Sequence, residues 1–111
     1  MLNEYDEGSG VRTITFEDPD TAYGFQIFIK PSGQQLVNAE VFKIDEPSGV
    51  MKEPKPIVIA GAQGTKFFGH NEEMDDTSEI WFIHGGYLFE VYTYKPLDGW
   101  LEAIMKTWKF L

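Results

Sequence analysis

The stretch from Ser78 to Tyr94 constrains the fold more than any other part of the chain. Two runs rich in β-branched and aromatic residues, Ser78 to His84 and Tyr87 to Tyr94, are separated by Gly85-Gly86. Glycine tolerates the positive φ of tight hairpin turns, whose twist matches that of the strands they join, so this stretch reads as a β-hairpin. A two-residue turn also fixes the register: Ile83 faces Leu88, Phe82 faces Phe89, Trp81 faces Glu90, Ile80 faces Val91 and Glu79 faces Tyr92. Ile80, Phe82, Phe89 and Val91 then form one wholly apolar face, which is the expected core. Trp81, Ile83, Leu88 and Tyr92 share the opposite face with Glu79 and Glu90.

A helix is expected next. After Pro96, the residues Leu97, Trp100, Leu101, Ile104, Met105 and Trp108 recur at helical spacing, an apolar stripe over three turns from about Pro96 to Thr107. The stripe suits the Ile80/Phe82/Phe89/Val91 face. Earlier in the chain, Val11 to Glu17 is rich in β-branched residues and closes on the turn Asp18-Pro19-Asp20. Tyr23, Phe25, Ile27 and Ile29 alternate with Gly24, Gln26, Phe28 and Lys30, the period of a strand with one buried face. From Gln34 to Asp45 the apolar positions Val37, Val41, Phe42 and Ile44 fit a helix nearly as well as a strand; a short helix from about Asn38, capped there and stopped by Pro47-Ser48-Gly49, is the reading adopted. Met51 to Pro56 reads as an extended connector, Ile57 to Ala60 and Thr65 to Phe68 as two strands around the turn Gly61 to Gly64, and Asn71 to Ser78 as an acidic loop. The expected class is α+β: an antiparallel sheet of about six strands flanked by helices in an α/β/α sandwich.

With 111 residues, one domain with one core is expected, covering residues 11–111 behind a flexible, polar, Gly-rich stretch at 1–10. The net charge of −9 repels phosphate backbones and anionic lipid surfaces, so nucleic acid is not an expected partner. No apolar run reaches the ~18 residues of a membrane span. The absence of cysteine excludes disulfides, thiolate metal sites and a cysteine nucleophile. Cytoplasmic localisation is the default for the chain as written, extracytoplasmic if a signal peptide was removed.

Motifs for chemistry are sparse. His70 and His84 lack a second histidine at ligand spacing, and the serines lie beside turns, outside any nucleophile elbow. The acidic run Asn71 to Glu79 lacks the residue order of an EF-hand, and Gly61-Ala62-Gln63-Gly64-Thr65 leads into a strand without the lysine of a phosphate loop. Glu79 and Glu90, diagonal on the mixed hairpin face, are the one carboxylate pair considered for glycoside hydrolysis, and ordinary cross-strand neighbours are the preferred reading. No catalytic residue, cofactor or metal is therefore expected.

The run Glu79 to Tyr94, followed by Trp100 to Phe110, resembles the closing hairpin, helix and strand of PsbP-like domains, found in bacterial lipoproteins and in the extrinsic subunit of photosystem II; Gly61 to Phe67 resembles the strand pair that precedes them. The resemblance covers the last third of the chain. It implies an antiparallel sheet between helices and a non-enzymatic binding or assembly role, and it assigns no functional residue.

The expected function is thus a non-catalytic binding or assembly module, acting on an unidentified protein partner or as a homodimer. The alternative is a small-molecule binder or small enzyme using a pocket between helix and sheet. The candidate partner or ligand surface is Trp81, Ile83, Leu88, Tyr92 and Tyr94. Uncovered, it would leave several hundred Å² of apolar surface in water. Either Val41 and Phe42 cover it from within the chain, or it is the interface of a dimer anchored on Trp81.

Overall fold

The computed structural model describes residues 2–8, 10–33, 37, 42 and 51–109. They form a seven-stranded antiparallel sheet: β1 (Leu2–Gly8), β2 (Val11–Glu17), β3 (Gly24–Pro31), β4 (Lys52–Ile59), β5 (Ala62–Asn71), β6 (Asp75–His84) and β7 (Tyr87–Tyr94). A single 3-10 turn, Lys95–Leu97, leads into a helix, α1 (Asp98–Met105). The spatial order β1-β2-β3-β7-β6-β5-β4 consists of two meanders, β1 to β3 and β4 to β7, joined where β3 pairs with β7. Among the described residues no helix is long and apolar enough to cross a membrane.

The β6–β7 hairpin has the register read from its Gly-Gly turn, residue for residue from Glu79↔Tyr92 to Ile83↔Leu88. Both glycines have positive φ, at 60° and 81°. A second turn of this kind joins β4 to β5, where Ala60 and Gly61 take φ of 49° and 87° between the paired Ile59 and Ala62. The turn is therefore shorter than the one expected over Gly61 to Gly64, and Gly64 lies inside β5. A Cβ there would stand 2.4 Å from the Trp81 carbonyl oxygen and 2.8 Å from Phe82 Cβ, so glycine allows the close pairing of β5 with β6.

Three further expectations are corrected. Leu2–Gly8 of the polar N-terminus is a strand, β1, because an edge strand needs only backbone partners on one side, which β2 supplies from Phe16↔Leu2 to Val11↔Gly8. The connector Met51 to Pro56 is largely β4: at the other edge of the sheet Pro54 and Pro56 need donate no ladder hydrogen bond. The acidic loop at 71–78 contracts to Glu72-Glu73-Met74, with Asn71 paired to Asp75. The helix expected from about Asn38 to Ile44 falls outside the described residues, apart from Phe42; among the described residues one short helix, α1, packs on one face of the sheet.

That side is the face read as core. Phe25, Ile27, Ile59, Ala62, Ile80, Phe82 and Val91 pack under Leu101 and Met105 of α1, with Ile14, Phe16, Ile29, Phe89, Trp100, Ile104 and Trp108 around them. The rings of Phe82 and Phe89 stack at 4.9 Å, and the Trp108 indole meets both edge-on at 5.8 and 6.2 Å. Aromatic side chains thus fill the space between helix and sheet where a pocket was the alternative expectation. α1 is shorter than the expected 96–107, since Lys95–Leu97 is a 3-10 turn and the last turn closes by Thr107 N donating to the Ile104 carbonyl. Its first residue is pinned to the sheet: Ser78 Oγ donates to Asp98 Oδ1 at 2.6 Å, and the buried Lys66 ammonium meets the same oxygen at 2.5 Å.

Candidate functional site

The opposite face of the sheet carries two different environments. Toward β4, Trp81 and Leu88 are buried with Val37, Phe42 and Phe67, and Met51 and Ile83 pack at the margin. The Trp81 ring lies 5.2 Å from Phe42 and 5.4 Å from Phe67, and the residue has 0% exposure. Trp81, Leu88 and, in part, Ile83 are therefore corrected from a partner surface to a second core. Phe42, one of the two residues expected to cover this face, does so.

Toward β2 the same face opens into a cleft of about 710 Å³. Its lining combines Thr15 of β2, Gln26 and Phe28 of β3, Glu90, Tyr92 and Tyr94 of β7, and Glu79 of β6, with His70, Glu73 and Met74 from the β5–β6 hairpin end and Leu97 from the 3-10 turn. Antiparallel pairing assembles it: Gln26 is opposite Tyr92, Phe28 is opposite Glu90, and Tyr92 is opposite Glu79. The Tyr92 hydroxyl donates to Gln26 Oε1 at 2.5 Å, which ties the two meanders together across the cleft. Of the candidate surface residues, Tyr92 and Tyr94 thus remain at a site; Tyr94, half-exposed, belongs to its rim.

Glu79 and Glu90 are 7% and 5% exposed, unusually buried for carboxylates. Glu79 is held firmly. Thr77 Oγ1 donates to its Oε2 at 2.6 Å and Trp81 Nε1 donates to its Oε1 at 3.0 Å. Burial raises its pKa above the ordinary 4.5, outweighing the two hydrogen bonds, which favour the ionised form. Gly69, paired with Thr77, leaves room for this arrangement: a Cβ there would lie 2.6 Å from Glu79 Oε2. At the exposed hairpin end, His70 Nδ1 and Asp76 Oδ1 are 3.2 Å apart, and this hydrogen bond holds the Asp76 carboxyl below its ordinary value.

Reading the sequence brought Glu79, Glu90, Tyr92 and Tyr94 into view, but it missed Thr15, Gln26, Phe28 and Met74. The signal for two of these was present. Gln26 and Phe28 are the out-of-phase members of the β3 alternation, and Phe28 is an apolar ring among the polar positions. Their neighbours depend on the pairing of β3 with β7, which no local pattern specifies. Among the described residues no group of three or more histidines, aspartates or glutamates is placed to hold a metal ion.

Comparison of the chain with known protein families, with curated proteins and with solved structures returns no match.

Proposed function

We propose that this domain is a non-catalytic binding module that takes a small organic ligand into the cleft over β3, β7 and β6. The cleft itself carries the reading. Its volume of about 710 Å³ lies within the ~300–1,000 Å³ of ordinary small-molecule sites, and it combines rings with a few fixed polar groups. Glu79 supports binding rather than turnover, because both its oxygens already accept hydrogen bonds from Thr77 and Trp81, an arrangement that fixes a charge or acceptor in place. The test is an amide-resonance titration of the isotope-labelled chain against a fragment collection. Saturable shifts confined to Gln26, Phe28, Glu90 and Tyr92 and weakened in Phe28→Ala are expected; a collection that leaves these resonances unmoved would count against the cleft as a site.

An assembly role of PsbP-like type is the second reading, and it rests on the hairpin β6–β7 followed by α1 packed on one face. Val37 and Phe42, buried against Trp81, support a second layer on the other face and with it the α/β/α arrangement. Co-purification of a stoichiometric protein partner with the tagged chain, released by substitutions at exposed positions outside the cleft, would favour this reading over the first.

A further inference from the structure

The chemistry of the cleft narrows the kind of ligand it can take. Glu79 and Glu90 lie on its floor, two residues apart in register across the β6–β7 pair, and Glu17 and Glu73 also contribute to the lining. Among the described residues that line it there is no lysine or arginine, and the one basic group, His70, stands at the exposed hairpin end beside Asp76. The described lining is therefore acidic, a composition that favours a cationic ligand over an anionic one. Three rings, Phe28, Tyr92 and Tyr94, line the same space, and aromatic faces attract cations through their quadrupole. Among the described residues no group of three or more ligands is placed to hold a metal ion, and the rings beside the carboxylates suit an organic cation.

We propose that the cleft is a receptor for an organic cation, an ammonium group on an apolar or aromatic body, with Glu79 and Glu90 facing the charge and Phe28, Tyr92 and Tyr94 flanking the body. This rests on the cleft being a binding site at all. The burial of Glu79 agrees with it: the site maintains a carboxylate away from water at a cost, which an incoming cation would offset.

The test uses three probes of nearly one shape: 2-phenylethylammonium, 2-phenylethanol and 3-phenylpropanoate, each titrated to about 10 mM, since fragments of this size bind weakly. Amide resonances of the full chain at pH 7.5 report occupancy. The ammonium is expected to shift Gln26, Glu90 and Tyr92 with an affinity at least ~tenfold above the alcohol, the carboxylate weaker still, and the preference to fall below ~threefold in Glu79→Gln and in Glu90→Gln. Equal or tighter binding of the alcohol or the carboxylate at the same residues would overturn the cationic assignment while leaving the cleft a binding site. No shift at these residues with any probe would overturn both. A saturable response to calcium chloride, abolished by Glu79→Gln and unaccompanied by binding of the ammonium, would replace the organic cation by an inorganic one. Should Glu79→Gln lose its cooperative melt, Glu90→Gln and the three wild-type affinities still decide the matter.

Discussion

The indole Nε1 of Trp81 donates to the Glu79 carboxylate, two positions earlier on β6, at 3.0 Å. The bond joins the two environments of this face, because the ring of Trp81 belongs to the buried aromatic cluster and the carboxylate lines the cleft. The cluster thereby orients the charge of the site.

Stability should record the burial of Glu79. With its pKa raised above 4.5, the folded chain holds a proton over a range in which the unfolded chain has released it. The native state binds more protons there, so stability falls as pH rises from about 4.5 through the raised value and stays reduced above it. Among the described residues, Glu17 of β2, Glu90, Tyr92 and Tyr94 of β7, and His70 and Glu73 from the hairpin end are the other titratable groups at the cleft, and all remain in Glu79→Gln. Urea midpoints of wild type and Glu79→Gln should therefore diverge between pH 4.5 and pH 7.5, the wild type losing more. Parallel profiles would show that Glu79 is not responsible.

Trp81→Ala should destabilise the fold by about 3–5 kcal/mol, the usual cost of removing a large buried ring, and should leave the mass in light scattering unchanged. Conversion of a dimer into a stable folded monomer would instead make Trp81 an interface residue.

Leu101→Asp should abolish cooperative folding. Leu101 is fully buried beneath α1, and an unpaired carboxylate there costs several kcal/mol, comparable to the whole stability of an average domain. A melting temperature within a few degrees of wild type would contradict the packing of α1 on this face.

Asp98→Asn tests the pinned start of α1. Burial works to raise the pKa of Asp98, but hydrogen bonds from Lys66 and Ser78 and the charges of Lys66 and Lys55 hold it below the ordinary 3.8. A lowered carboxylate contributes stability present above the unfolded value and lost as pH falls through the folded one. At neutral pH the substitution leaves the Lys66 ammonium, 3% exposed, without its counter-charge. A loss of about 2–3 kcal/mol is expected, less than for a wholly buried pair because Asp98 is about a third exposed. Denaturation at pH 7 and pH 3 should show the gap between wild type and variant closing in acid.

What could be read from the sequence was local. The Gly85-Gly86 turn carries its own register, and the Trp100/Leu101/Ile104/Met105 spacing carries its own helix, so both were legible together with the apolar face they share. β1 was not, because Leu2 to Gly8 holds no strand pattern and owes its extended form to the partner beside it. The prolines of β4 concealed the first part of that strand, ahead of the Ile57 to Ala60 run that was legible, for a related reason: they forbid a central position and permit an edge one. At the site, Glu79, Glu90 and Tyr92 were legible because one hairpin presents them, whereas Gln26 and Phe28 belong there only through the pairing of distant strands.

That pairing has a kinetic consequence. Each meander is built from neighbours in sequence, but the seam between β3 and β7 closes contacts as distant as the 69 positions separating Gly24 from Thr93. Loop closure over such separations is slow compared with hairpin formation, so the seam is expected to zip late. The cleft straddles it, with Gln26 and Phe28 on one side and Glu90 and Tyr92 on the other. A half-folded chain offers no such cleft. A ligand held there would act as a latch on the finished molecule, lengthening the lifetime of the native state while leaving the early steps of its formation untouched.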